Sequence, residues 1–320
     1  MLSKADRRAA TPFRQALSGL ALTLLLAACG TPRDFSVYQE TIAEFQKATD
    51  QTATVALEYV HGINDVEREN ELKLLREDPD RLLDARKLAT PVLTAEALRA
   101  RDRTFSVLKQ YTQMLADLAD SDASERWKAA SERTAAAAEL LIEDLSNVAP
   151  SLASLPITDA ISPLRTISNV IAKEIIDAKR ARALDAAIEK AAPAIQDISA
   201  LLREDLEFVI QQRDTLKQQE ISQLSIEYAQ AQQLGNEPVR LAKLREIDQK
   251  IRARKEGLIT LQSVLQTLDQ FDAAHDSLLR YARSDKGPQD LYDLVAIVRN
   301  YAATAEEVFA AFKKAGDASS

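Results

Sequence analysis

Residues 239–284 read VRLAKLREIDQKIRARKEGLITLQSVLQTLDQFDAAHDSLLRYARS. Within them Leu244, Ile247, Ile251, Arg254, Leu258, Leu261, Leu265, Leu268, Asp272, His275, Leu279 and Ala282 follow at alternating spacings of three and four. On an α-helix these residues share one narrow stripe, and a stripe sustained this long is covered by a near-parallel neighbouring helix. Arg254, Asp272 and His275 interrupt it. The stretch therefore predicts a long helix from Val239 to about Ser284 that packs along a partner.

The preceding residues supply that partner. Ile198, Leu202, Leu206, Val209 and Leu216 form a second stripe, which shifts register by one to Ile221, Leu224, Tyr228 and Ala231. Such a shift locally alters a supercoil. Between the two stripes, Gly235-Asn236-Glu237-Pro238 is a tight reversal. The pair makes an antiparallel hairpin over 194–284, with arms of about 40 to 45 residues, roughly 60 to 70 Å long. That exceeds the diameter of a compact domain of this size. The hairpin either runs along an elongated bundle or projects from it to dock a partner.

The rest of the chain is also helical in pattern. Phe35, Tyr38, Ile42, Phe45, Thr49, Thr52, Ala56, Tyr59, Ile63 and Val66 repeat the three-four alternation in a helix running to about Arg76, before Asp78-Pro79-Asp80. A short helix reaches Leu88. Thr94 is an N-cap for a helix to about Ala119, and another spans about Ser124 to Val148. The linker Ala149–Pro156 divides an N-terminal region, 35–148, from a C-terminal one, 149–314. Ser162-Pro163 opens a helix to about Lys190, where Pro193 kinks or restarts the chain. Asp285-Lys286-Gly287-Pro288 precedes a last helix over about Gln289 to Lys314, and 315–320 form a frayed tail. No stretch alternates with a period of two, so no sheet is expected. The fold class is all-α: an elongated helical bundle with a long antiparallel, coiled-coil-like hairpin.

Little in this pattern carries chemistry. His61 and His275 are the only histidines. His275 takes a stripe position, which favours a buried histidine hydrogen-bonded across the bundle over a metal ligand; His61 reads as a surface residue. There is no His-Glu-x-x-His pairing, no Gly-rich phosphate loop and no Gly-x-Ser-x-Gly elbow. Glu204, Asp205 and Glu207, like Glu306 and Glu307, read as solvated helix faces. The runs Lys250, Arg252, Arg254, Lys255 and Arg99, Arg101, Arg103 are intermixed with acids and do not form a nucleic-acid patch. Trp127 reads as half-buried packing. No catalytic, cofactor-binding or metal-ligating residue is expected, nor a cofactor, and the chain does not read as an enzyme.

The amino-terminal 28 residues differ from everything after them. Lys4, Arg7, Arg8 and Arg14 outweigh Asp6, the apolar run Leu17–Leu26 (LSGLALTLLL) follows, and Leu26-Ala27-Ala28-Cys29 contains the only cysteine. The run is the length of a signal-peptide core and well short of the roughly 20 residues of a spanning helix. Leu26, Ala27, Ala28 and Cys29 resemble the lipobox of bacterial lipoprotein precursors. That resemblance covers the signal and Cys29 alone. It implies removal of 1–28, a diacylglyceryl group on the Cys29 sulfur, often an acyl group on the new amino terminus, and a tether over 29–34. Gly30 in place of an aspartate implies sorting to the outer membrane, facing the periplasm.

Residues 29–320 carry 37 basic and 48 acidic side chains, a net charge of −11. Such a surface argues against nucleic acid and against an electrostatic grip on anionic lipid headgroups. Membrane attachment is therefore expected through the lipid on Cys29 alone, where two or more chains hold stably. The expected function is that of a periplasmic helical scaffold or binding protein, tethering envelope protein partners. The alternatives are a helical module for an envelope ligand such as peptidoglycan or a small molecule and, third, an enzyme of unknown type.

Overall fold

A computed structural model of the chain describes residues 32–77, 82–120 and 180–317, together with residues 129, 132–137, 139, 140 and 143 between them. The expected lipobox, the tether up to residue 31, Trp127, the linker at 149–156 and the helix start at Ser162-Pro163 lie outside the described residues; residues 32–34, expected in the tether, are already helical. Six helices are labelled here: α1 (Pro32–Glu77), α2 (Ala85–Ala89), α3 (Ala95–Ala119), α4 (Arg180–Gln233), α5 (Glu237–Arg283) and α6 (Pro288–Asp317). Among the described residues there is no strand. The protein is an all-α helical bundle.

Local sequence sets the helix boundaries. Thr94 caps α3, its hydroxyl accepting from the Ala97 amide at 3.2 Å. Residue Gly235 takes φ +66, a backbone state open to glycine at little cost. With it, the Asn236 amide donates to the Ala231 carbonyl at 2.9 Å and the Gly235 amide to Gln232 at 3.2 Å, which is the Schellman pattern. Asn236 then caps the next helix, its side chain accepting from Val239, with Pro238 in the first turn. Pro193 lies inside α4 rather than between two helices, so the hairpin's first arm begins before the expected residue 194. The last helix continues three residues beyond Lys314, into the expected tail.

The long helices close a ring, with α1 packing on α6, α6 on α5, α5 on α4, α4 on α3, and α3 back on α1. Ring contacts fix their directions. Tyr38 meets Tyr281, Phe45 stacks on Phe271 and Lys73 reaches Glu246, so α1 and α5 are antiparallel in a constant register. Phe45 with Tyr301 and Tyr59 with Phe312 make α6 parallel to α1. The core between them includes Ile42, Phe45, Phe105, Tyr111, Phe271 and Tyr301, all buried. Thr49 and Thr52 are buried with them, each hydroxyl donating to the carbonyl one turn earlier.

The bundle tapers. Asn64 of α1 bonds both ways with the Leu93 backbone just before α3, and Phe312 near the end of α6 lies beside Tyr59. The start of α3 and the end of α6 thus fall at nearly the same height on α1. Above that height α1 continues against the hairpin and stops one turn past Lys73, while α5 goes on more than two turns past Glu246. The hairpin overhangs α1 by about 10 Å. Both expected arrangements are therefore partly realised: the hairpin runs along a bundle for most of its length and projects only at its tip.

Candidate functional site

Each residue that interrupts the α5 stripe has a partner on another helix. Arg254 grips Asp214 of α4 with two hydrogen bonds of 2.6 and 2.8 Å. Arg203 of α4 reaches Asp272 at 2.6 Å and Asp269 at 3.0 Å. The buried His275 places Nε2 2.9 Å from the Tyr111 hydroxyl of α3. Burial pushes His275 down to about 4 and the Tyr111 phenol up. His61 lies at the surface, with Nε2 2.6 Å from Asp102. The two histidines are not brought together, and among the described residues no group of three or more His, Cys, Asp or Glu could hold a metal ion.

One reading of exposed charge is corrected, and one buried carboxylate is added. Asp205, taken as part of a solvated face, is largely buried and held bidentately by Arg101, itself only 5% exposed. The signal was present: Ala97, Arg101, Thr104, Leu108, Tyr111, Leu115 and Leu118 form an unbroken three-four stripe on α3, and all are buried. Glu220 was missed as well. It stands one turn after Leu216 and one before Leu224, where the α4 stripe changes register, and it is buried at 8% exposure. Lys250 reaches it at 2.5 Å, Lys217 at 3.2 Å and Lys73 at 3.9 Å. Burial alone would raise its carboxyl, but the Lys250 hydrogen bond and the nearby lysine charges hold it below the usual range.

Above Glu220 the two arms are joined by Glu227–Lys243 at 2.5 Å and by Arg240, which bonds Tyr228 at 3.1 Å and Glu237 at its own helix start. On this tapered end the stripe is no longer covered. Leu244 and Ile251, which the spacing assigns to the packed seam, are 47% and 49% exposed. Ile226, Leu234, Val239 and Leu241 are exposed with them. The cause lies in the neighbours' lengths: α3 and α6 stop short of this height. At the root of the arm, an open cleft of about 540 Å³ between α1 and α4 is lined by the amides and hydroxyls of residues such as Asn70, Thr215, Gln218, Ser222 and Gln223, together with the charged Lys73, Asp214 and Glu220 and the apolar Leu74 and Ile226.

No described helix is long and apolar enough to cross a membrane. Comparison with known proteins finds no match: no family model, no curated relative and no solved structure corresponds to this chain.

Proposed function

We propose that the chain is a lipid-anchored scaffold or binding protein of a bacterial cell envelope, held by acyl chains on Cys29 and acting by tethering protein partners. Outer-membrane attachment facing the periplasm fits Gly30. The observation that carries the tethering reading is the tapered hairpin end, where Leu241, Leu244 and Ile251 are exposed beside a charged, polar arm. Exposed aliphatic residues grouped at one end of a molecule suit a docking surface better than scattered ones do. Pro32, three residues after Cys29, starts α1 at the other end of the bundle, about 75 Å from the turn at Gly235. An anchored chain would present this end to partners at a raised local concentration.

The test is in-cell photo-crosslinking from position 236, with and without Leu244→Ser/Ile251→Ser. Specific adducts that weaken in the double variant support docking here; adducts unchanged by it, or none, defeat the reading. The anchor has its own check. Cys29→Ser is expected to leave an uncleaved precursor without labelled fatty acid, and normal processing would count against the lipobox.

A second reading has one specific observation behind it. The amide- and hydroxyl-lined cleft at the root of the arm could hydrogen-bond a polar envelope ligand such as a peptidoglycan fragment. A thermal shift with cell-wall fragments that is lost in Gln218→Ala/Gln223→Ala would favour it over protein tethering.

A further inference from the structure

We infer that the groove between the C-terminal end of α5 and α6 seats phosphate headgroups of the bilayer that holds the Cys29 lipid. This rests on the anchored reading above. The groove, about 680 Å³, is floored by Leu279 and Ile297, kept open by small side chains such as Ala296, and flanked by Arg280 and Arg283.

Its position follows from chain length. Tyr38, near the start of α1, packs on Tyr281 with ring centroids 4.7 Å apart, so Arg280 and Arg283 stand level with the first turns of α1. Pro32 begins that helix three residues after Cys29. Three residues of extended chain span at most about 10 Å. A lipid on Cys29 therefore holds this end of the bundle against its membrane, whichever way the long axis leans.

The chemistry is that of a headgroup site. Arg280 and Arg283 are three apart on α5, so their guanidinium groups share one side of the helix. Both residues are exposed, and neither forms a hydrogen bond or ion pair among the described residues. By contrast, Arg101, Arg203 and Arg254 each hold carboxylates, and Lys286 holds Asp185. The one acid in the groove, Asp276, accepts a hydrogen bond from Gln196 at 3.1 Å. A guanidinium matches phosphate in a planar, bidentate fashion. Tyr292, one turn before Ala296 on the same side of α6, is 69% exposed, and its ring suits the boundary between acyl chain and water. This departs from the expectation of attachment by the lipid alone: the chain's net acidity is an average over its whole surface, and a headgroup at this end meets two arginines that hold no carboxylate among the described residues.

The test uses the full lipidated protein in phosphatidylglycerol vesicles. Lipidation consumes the Cys29 thiol, so Gln289→Cys at the base or Asn236→Cys at the tip gives a single labelling site. A fluorophore at 289 is expected to be quenched by a nitroxide on lipid headgroups, while one at 236 is not. Arg280→Gln and Arg283→Gln are each expected to lower the docked-to-free ratio about five-fold in phosphatidylglycerol. In phosphatidylcholine vesicles they are expected to have little effect. Equal quenching at both labels, or base quenching indifferent to the double variant, overturns the inference. Failure of the anchored reading looks different: the protein carries no fatty acid and leaves the vesicle fraction, and the groove assignment falls with it.

Discussion

The hydroxyl of Tyr111 and Nε2 of His275 meet at 2.9 Å in the middle of the helical ring, joining α3 to α5 across the core. Phe271 stacks nearly parallel to the His275 ring, with centroids 6.2 Å apart, and Phe45 lies 6.5 Å away. A protonated imidazole here would bring a charge into an aromatic interior, and burial accordingly drives the group down to about 4.

Stability should therefore fall on mild acidification. An unfolded-chain histidine titrates near 6.5, so the unfolded state takes up the proton first. The His275 contribution is fully present above pH 6.5 and is lost as pH drops toward 4, at about 1.4 kcal/mol per unit within that window. Urea unfolding at pH 7 and pH 5 is expected to differ by roughly 2 kcal/mol from this group. His275→Leu should flatten that slope, and an unchanged slope would show that another group is responsible.

Neutralising Glu220 should leave Lys250 and Lys217 without this counter-charge and Lys73 with Glu246. Because the lysines are partly solvated, the loss for Glu220→Gln is expected to be about 1 to 2 kcal/mol, below that of a fully buried pair. A double-mutant cycle with Lys250→Met measures the coupling, and a coupling near zero would contradict the hub.

Arg101 and Asp205 form a more buried pair, and breaking it should cost more. Asp205→Asn is expected to destabilise by about 3 kcal/mol or more, since it leaves a buried guanidinium without its counter-charge. Chemical denaturation of the single variant is sufficient. A loss under about 1 kcal/mol would mean that the pair is solvated.

Gly235→Ala should reveal the cost of the turn alone. A Cβ at this position meets nothing within 4 Å, so any loss comes from holding φ at +66 rather than from a clash. About 1 kcal/mol is expected, with Gly235→Asn milder. Thermal unfolding reads both.

Along α5, truncation should matter at one end and not at the other. Leu268→Ala, at a fully packed position, is expected to cost about 2 to 5 kcal/mol. Leu244→Ser is expected to stay within about 0.5 kcal/mol. Equal losses at the two sites would mean that the tip is covered in solution.

Much of this architecture was legible in residue spacing. The three-four stripes of α1, α4 and α5, the Thr94 cap and the reversal at Gly235-Asn236 correspond to observed elements, because each depends on residues within a few turns of one another. The partners of the stripe-breaking residues were not legible. Arg254, Asp272 and His275 find theirs 40, 69 and 164 residues away, and periodicity carries no information about which distant helix faces which. Asp205 was misread for a related reason. A carboxylate beside an apolar stripe looks solvated until the buried arginine opposite it is known. The exposure of Leu244 and Ile251 likewise depends on where α3 and α6 end, a property of other segments.

The shared register of α1 and α5 also makes the molecule a ruler. From Tyr38–Tyr281 to Lys73–Glu246 the two helices advance by the same number of residues, and α4 keeps step beside them through Asp214–Arg254 and Glu220–Lys250. A heptad inserted in one of the three would slide every later pair out of alignment. The separation between the base and the turn can thus be lengthened or shortened only by matched changes in three distant stretches of sequence.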